Sequence, residues 1–202
     1  MKKLLALILG CLMILSLAAC GSENAPEGAV TPPREEDVNT DRDFTATGKT
    51  LVVYYSRTGT TQSVAEQIAA LTGADLFRVE RKEPYPSDYR TTTEVAKEEK
   101  EANARPELAA YLPKAAVAAY DTILFGFPIW WGTAPMPMLS FLNFYDFSGK
   151  NLYTFCTSAS SPISGSTADI RANAPGAKVT EGKRLTAGDT DAIRAWIGSL
   201  GL

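Results

Sequence analysis

The stretch YYSRTGTTQSVAEQIA, residues 54–69, joins an apolar run to an amphipathic one through a single glycine set among hydroxyl side chains. The run before it, TLVVYYS over 50–56, is β-branched and aromatic, the pattern of a strand buried on both faces. The run after it, over 61–73, puts Val64, Ile68 and Leu71 on one face and ends in Gly73, the pattern of a helix with a stop signal. The first amides of a helix lack an internal partner, and the dipole leaves about half a positive charge there. A phosphate fits that place without a cationic side chain. In Ser56-Arg57-Thr58-Gly59-Thr60-Thr61, the hydroxyls of Ser56, Thr58, Thr60 and Thr61 can each donate to phosphate oxygens, and Gly59 lets the backbone close around them. The alternative reading is a threonine-rich N-cap with no ligand.

Other phosphate loops do not match. No Gly-Lys-Ser/Thr is present as in a Walker A loop, and one glycine is too few for a dinucleotide fingerprint. The loop also lacks the cysteine of a phosphatase.

Outward from this junction the chain keeps alternating. Strands are expected at 74–80, 121–129, 151–158 and within 177–185, and helices at 135–145, 164–174 and 189–200. Strands separated by helical patterns imply βαβ units and a parallel sheet covered on both faces. Residues 85–120 are long and charged for such a unit. They predict one helix from about Asp88 to Ala104 and another after Pro106, either as a solvated helical face or as a docking surface for a partner.

The 202 residues suffice for one domain. A net charge of −3 argues against nucleic acid as the main partner. The absence of histidine removes a His-based triad and most zinc or copper sites. Cys11, Cys20 and Cys156 show neither metal-ligand spacing nor a disulfide framework.

The amino terminus reads as a leader. Two lysines precede an apolar run from Leu4 to Ala19, short for a spanning helix. Leu17-Ala18-Ala19-Cys20 before Gly21 resembles a bacterial lipobox. The resemblance implies that residues 1–19 are removed and Cys20 is lipid-modified, giving an exported protein held at the outer face of a bacterial membrane. An ordinary cleaved signal or an uncleaved anchor is the alternative. Residues 20–48, rich in Pro, Gly, Glu, Asp and Thr, read as a disordered tether before a domain at 49–202.

Ser-x-Thr-Gly-x-Thr after a first buried strand resembles the FMN-phosphate loop of flavodoxins. GFPIWWGTAP (126–135) follows the third strand, where that family places the loop beside the isoalloxazine ring. FCTSASSPISGS (155–166) follows the fourth, where it places the loop on the ring's other side. The resemblance spans about residues 50–202 and is nearest to flavodoxin-like proteins with a Trp-Trp-Gly second loop. It implies an α/β three-layer sandwich with a five-stranded parallel sheet of order 2-1-3-4-5, and FMN as cofactor. It assigns the ring site to Pro128, Ile129, Trp130, Trp131 and Gly132 on one side and Thr157, Ser158 and Ala159 on the other. Trp130 or Trp131 would stack on the ring, or one would be core. Thr60 stands where asparagine is common in the family, and the third loop has no tyrosine to cover the ring.

The chemistry implied is that of the flavin, with no catalytic side chain nominated. The first expectation is electron transfer to a redox partner protein. The second is an NAD(P)H-dependent reductase of quinones or other small molecules. The third is a binding domain that keeps the fold without the flavin.

Overall fold

The computed structural model describes Glu36, residues 39–41 and residues 44–202. The leader, Cys20 and most of the tether lie outside the described residues. Among the described residues, no helix is long and apolar enough to cross a membrane.

Five strands, β1 (Thr50–Tyr54), β2 (Asp75–Arg78), β3 (Thr122–Pro128), β4 (Asn151–Thr157) and β5 (Lys178–Arg184), form one sheet of order β2-β1-β3-β4-β5. All four pairings are parallel. Helices α1 (Thr60–Thr72) and α6 (Thr190–Ser199) touch each other on one face. Helices α4 (Met136–Phe144) and α5 (Ser164–Asn173) do so on the other, with α2 (Tyr89–Glu101) against α4. The expected class and strand order are both present.

Side chains of a strand alternate between faces, so the sheet divides its apolar residues between two cores. Leu51, Val53, Ile123, Phe125, Phe127, Leu152 and Cys156 face α4 and α5. Val52, Tyr54, Leu124 and Phe155 face α1 and α6, meeting Val64, Ile68, Ile193 and Trp196. Leu71 was expected on that buried face but is 37% exposed, because it lies at the last turn of α1, beyond the sheet's cover.

Two glycines permit close packing here. A Cβ at Gly126 in β3 would fall 2.1 Å from the Phe155 ring, which lies across it. A Cβ at Gly182 would fall 1.7 Å from the Thr154 carbonyl oxygen, where the β4–β5 register shifts between Tyr153 and Phe155. The bulge and the charged side chains of β5 blunt that edge of the sheet.

Two expectations need correction. The helix expected after Pro106 is only the short α3 (Lys114–Ala118). Before it, the chain pairs instead: Lys82 N–H donates to the Glu107 carbonyl at 2.9 Å and Ala109 N–H to that of Glu80 at 2.8 Å, covering the end of β2. The tether does not run free to residue 48. Asp41 N–H donates to the Tyr111 carbonyl and Tyr111 N–H to that of Asn39, both at 2.8 Å. Phe44 and Ala46 pack on the core, and the Asp75 carboxylate accepts from Thr47 N–H at 2.8 Å and Gly48 N–H at 3.3 Å.

Candidate functional site at the carboxyl edge of the sheet

The register aligns three loops. Tyr54 pairs with Gly126 and Pro128 with Thr157, so Ser56, Pro128 and Thr157 begin their loops in one row across the sheet. The loop after β1 leads to α1 on one face, and the loop after β3 leads to α4 on the other. Between them the carboxyl edge opens into a crevice, as parallel sheets do where strand order reverses. A cavity of about 660 Å³ occupies it.

At its floor is the first loop. Gly59 is the N-cap of α1 in the left-handed region (φ 88°), and no side chain caps the helix. The hydroxyls stand around the helix start without capping it. Ser56 Oγ instead accepts from Gly59 N–H at 3.1 Å, closing the loop on itself. Thr58 and Thr60 are exposed to the cavity with their hydroxyls 3.4 Å apart. The buried Thr61 hydroxyl lies 2.8 Å from that of Thr157, tying the first loop to the third. The Arg57 guanidinium lines the cavity but is held by the carbonyls of Pro86 at 3.0 Å and Ser87 at 2.7 Å.

The second loop is a tight turn. Trp130 and Thr133 exchange both backbone hydrogen bonds, at 2.9 and 3.0 Å. Trp131 (φ 52°) and Gly132 (φ 82°) between them both adopt positive φ, as a type I′ turn requires. A non-glycine residue there costs about 1–2 kcal/mol. Three contacts with α2 hold Trp131: its indole N–H donates to the Thr93 carbonyl at 3.0 Å, its carbonyl accepts from Lys100 Nζ at 2.6 Å, and Lys97 Nζ sits 5.8 Å from the ring.

Trp130 lines the cavity and also packs on the core. Its ring makes edge contacts with Tyr55 at 5.4 Å and Tyr85 at 5.2 Å. Beneath it Tyr85 donates to the nearly buried Glu99 carboxylate, whose other oxygen lies 3.1 Å from Arg81 Nε. Burial pushes the Glu99 carboxyl up, against the hydrogen bond from Tyr85 and the Arg81 charge. Burial also pushes Tyr55 up to about 12. Neither tyrosine beneath Trp130 is poised to release a proton near neutrality.

Of the expected site residues, Ser56, Arg57, Thr58, Thr60, Thr61, Pro128, Ile129, Trp130, Trp131, Thr157, Ser158 and Ala159 line this one cavity. Gly59 and Gly132 do not line it; they set the turns that shape it. The sequence reading missed Leu185, Thr186 and Ala187 after β5, and Tyr89, Thr92, Thr93 and Ala96 on α2. The first group could have been found from the rule that such crevices collect every strand's carboxyl-end loop. The second follows the helical spacing i, i+3, i+4, i+7 within a charged sequence. No carboxylate lines the cavity among the described residues, and Arg57 is its one cation. Uncapped helix amides, the exposed hydroxyls of Thr58 and Thr60 and the absence of acid suit an oxygen-rich anion, and the tryptophan turn suits a flat apolar group beside it.

Comparison with known proteins agrees with this fold. The family described as Flavodoxin matches residues 49–200. A protein from Bacteroides uniformis described as a flavoprotein is 33% identical, with a TM-score of 0.66, covering 75% of this chain and 98% of its own. A similarly described protein from Bacteroides eggerthii is 32% identical, with a TM-score of 0.65, covering 76% and 98%. A flavoprotein from Lactobacillus acidophilus, solved in complex with FMN, is 27% identical, with a TM-score of 0.60, covering 73% and 97%. No curated protein matches the chain.

Proposed function

We propose, from the premise that the chain belongs to the flavodoxin family, that it is an FMN-binding redox protein passing electrons to a partner protein or small-molecule acceptor. The observation that carries this is the start of α1: a helix N-terminus without a side-chain cap, opening beside the exposed hydroxyls of Thr58 and Thr60 into a cavity with an aromatic turn and, among the described residues, no carboxylate. The FMN complex of the Lactobacillus acidophilus relative supports the same cofactor. Bound FMN supplies reversible electron uptake.

The chain's own residues do the rest. The α1 amides with Thr58 and Thr60 hold the phosphate. Trp130 and Trp131 border the ring on one side, and Thr157, Ser158 and Ala159 on the other. Burial keeps the Tyr55 hydroxyl protonated near neutrality, and the chain has no histidine to relay a proton. The purified protein should be yellow, with flavin absorbance in the visible range. It should also bind FMN more tightly than FAD, because the site offers one phosphate cradle. A colourless protein that binds neither, or equal or tighter binding of FAD, would defeat the reading.

The leader supports export and attachment through lipid at Cys20, with the domain on the extracytoplasmic side. Cys20→Ala should then release or misprocess the protein. Unchanged processing and membrane retention would remove the anchor from the proposal.

A further inference from the structure

We propose that Tyr89 is the aromatic cover of the ring site, supplied by α2 rather than by the loop after β4; this rests on the FMN reading above. Among the described residues the exposed large apolar side chains are Leu71, Tyr89, Trp131 and Leu202. Tyr89, 77% exposed, and Trp131, 45% exposed, line the same cavity. A flat ligand there would remove both rings from water.

The rest of this wall is shaped for such a ligand. Tyr89, Thr92, Thr93 and Ala96 share one side of α2. The Thr92 hydroxyl is taken by the carbonyls of Pro86 at 2.6 Å and Asp88 at 2.8 Å. That of Thr93 is taken by the Tyr89 carbonyl at 2.8 Å. These threonines spend their hydroxyl protons on backbone carbonyls, and Ala96 continues the same wall. Asp88 fixes the first turn by accepting from Thr91 N–H and Oγ1, each at 2.8 Å, so the backbone carrying the exposed Tyr89 ring is held.

Tyr89 and Trp131 act from one support. The Trp131 indole is fastened to the Thr93 carbonyl, about one helical turn from Tyr89, about 6 Å along the axis. The strand order puts the loops after β4 and β5 on the far side of the cavity. They contribute Ser158, Ala159, Leu185, Thr186 and Ala187, with no aromatic ring. The ring site therefore has one aromatic wall, borne by α2 and the tryptophan turn, and one wall without aromatic rings.

The test is titration of the full chain, wild type, Tyr89→Ala and Tyr89→Phe, with FMN and with riboflavin, following flavin fluorescence. Tyr89→Ala should weaken both flavins by the same factor, about threefold to tenfold, as for loss of an aromatic pair. It should also raise the fluorescence of bound flavin and leave the melting temperature of the ligand-free protein unchanged. Tyr89→Phe should restore affinity. Unchanged dissociation constants in Tyr89→Ala, loss of FMN affinity alone, or failure of phenylalanine to restore it would each overturn the cover. A wild-type chain that binds neither flavin would instead overturn the functional reading, and this proposal with it.

Discussion

Thr58 and Thr61 bring hydroxyls to the same helix start, yet the structure gives them different work. Thr58 faces the cavity, whereas Thr61 is buried and paired with Thr157, ninety-six residues away. A hydrogen bond to a charged group contributes about 1.5–3 kcal/mol. Thr58→Val should therefore weaken FMN binding by about 10-fold to 150-fold and leave riboflavin, which lacks the phosphate, unchanged. Thr61→Val cuts the tie between two loops and should weaken both. Equal loss of FMN and riboflavin in Thr58→Val would make its hydroxyl structural. The sequence made the hydroxyl run legible, but not which hydroxyls are already spoken for, because the partner of Thr61 comes from another strand. Trp131 is a similar case. The Trp-Trp-Gly motif was readable, but the positive φ of its middle residue was not. Replacing Trp131 with Gly removes the backbone strain together with the indole, while Ala removes the indole alone. The Gly variant should be the more stable in urea by about 1 kcal/mol. Equal stability would mean that no strain is held there.

At the scale of elements, strands and helices were legible wherever their period was unbroken. The failures lie where backbone pairing is non-local. Residues 106–113 carry residues compatible with a helix, but their amides and carbonyls are matched by residues 80–82 and 39–41. Asp75, at the start of β2, is the clasp of this region. Its carboxylate accepts from Thr47, Gly48 and the Tyr120 hydroxyl, the last at 2.7 Å. Burial alone would raise its pKa, but these hydrogen bonds outweigh it and hold the carboxyl below its ordinary 3.8. A depressed folded-state value stabilises the fold above the ordinary pKa and loses that contribution as pH falls through the depressed one. Asp75→Asn should therefore blunt the acid dependence of unfolding below about pH 4. It should also speed amide exchange at Thr47 and Gly48. Exchange there as slow as in the wild type would show that the segment is held by Phe44 and Ala46 alone.

For the molecule as a whole, topology was the most legible property and the shape of the cavity the least. The parallel α/β class followed from alternation, and the strand order from the resemblance of three loops to those of flavodoxins. The α2 wall did not, because its four cavity residues are scattered through a charged helix. The middle of the sheet also holds Cys156, in β4, with no exposed surface and a thiol that burial pushes up to about 12. It immediately precedes Thr157, whose hydroxyl joins two loops that line the cavity. This thiol is a built-in clock for opening of the domain. A maleimide can reach it only when the central strands part, so its modification, followed by mass mapping of the Cys156 peptide, times global unfolding under native conditions. A ligand that binds only the folded chain slows that clock by one plus its concentration over its dissociation constant, about a hundredfold at a hundred times that constant. FMN should do so in the wild type and far less in Thr58→Val at the same concentration. Cofactor affinity is thus written into the chemical lifetime of a side chain that touches neither solvent nor ligand.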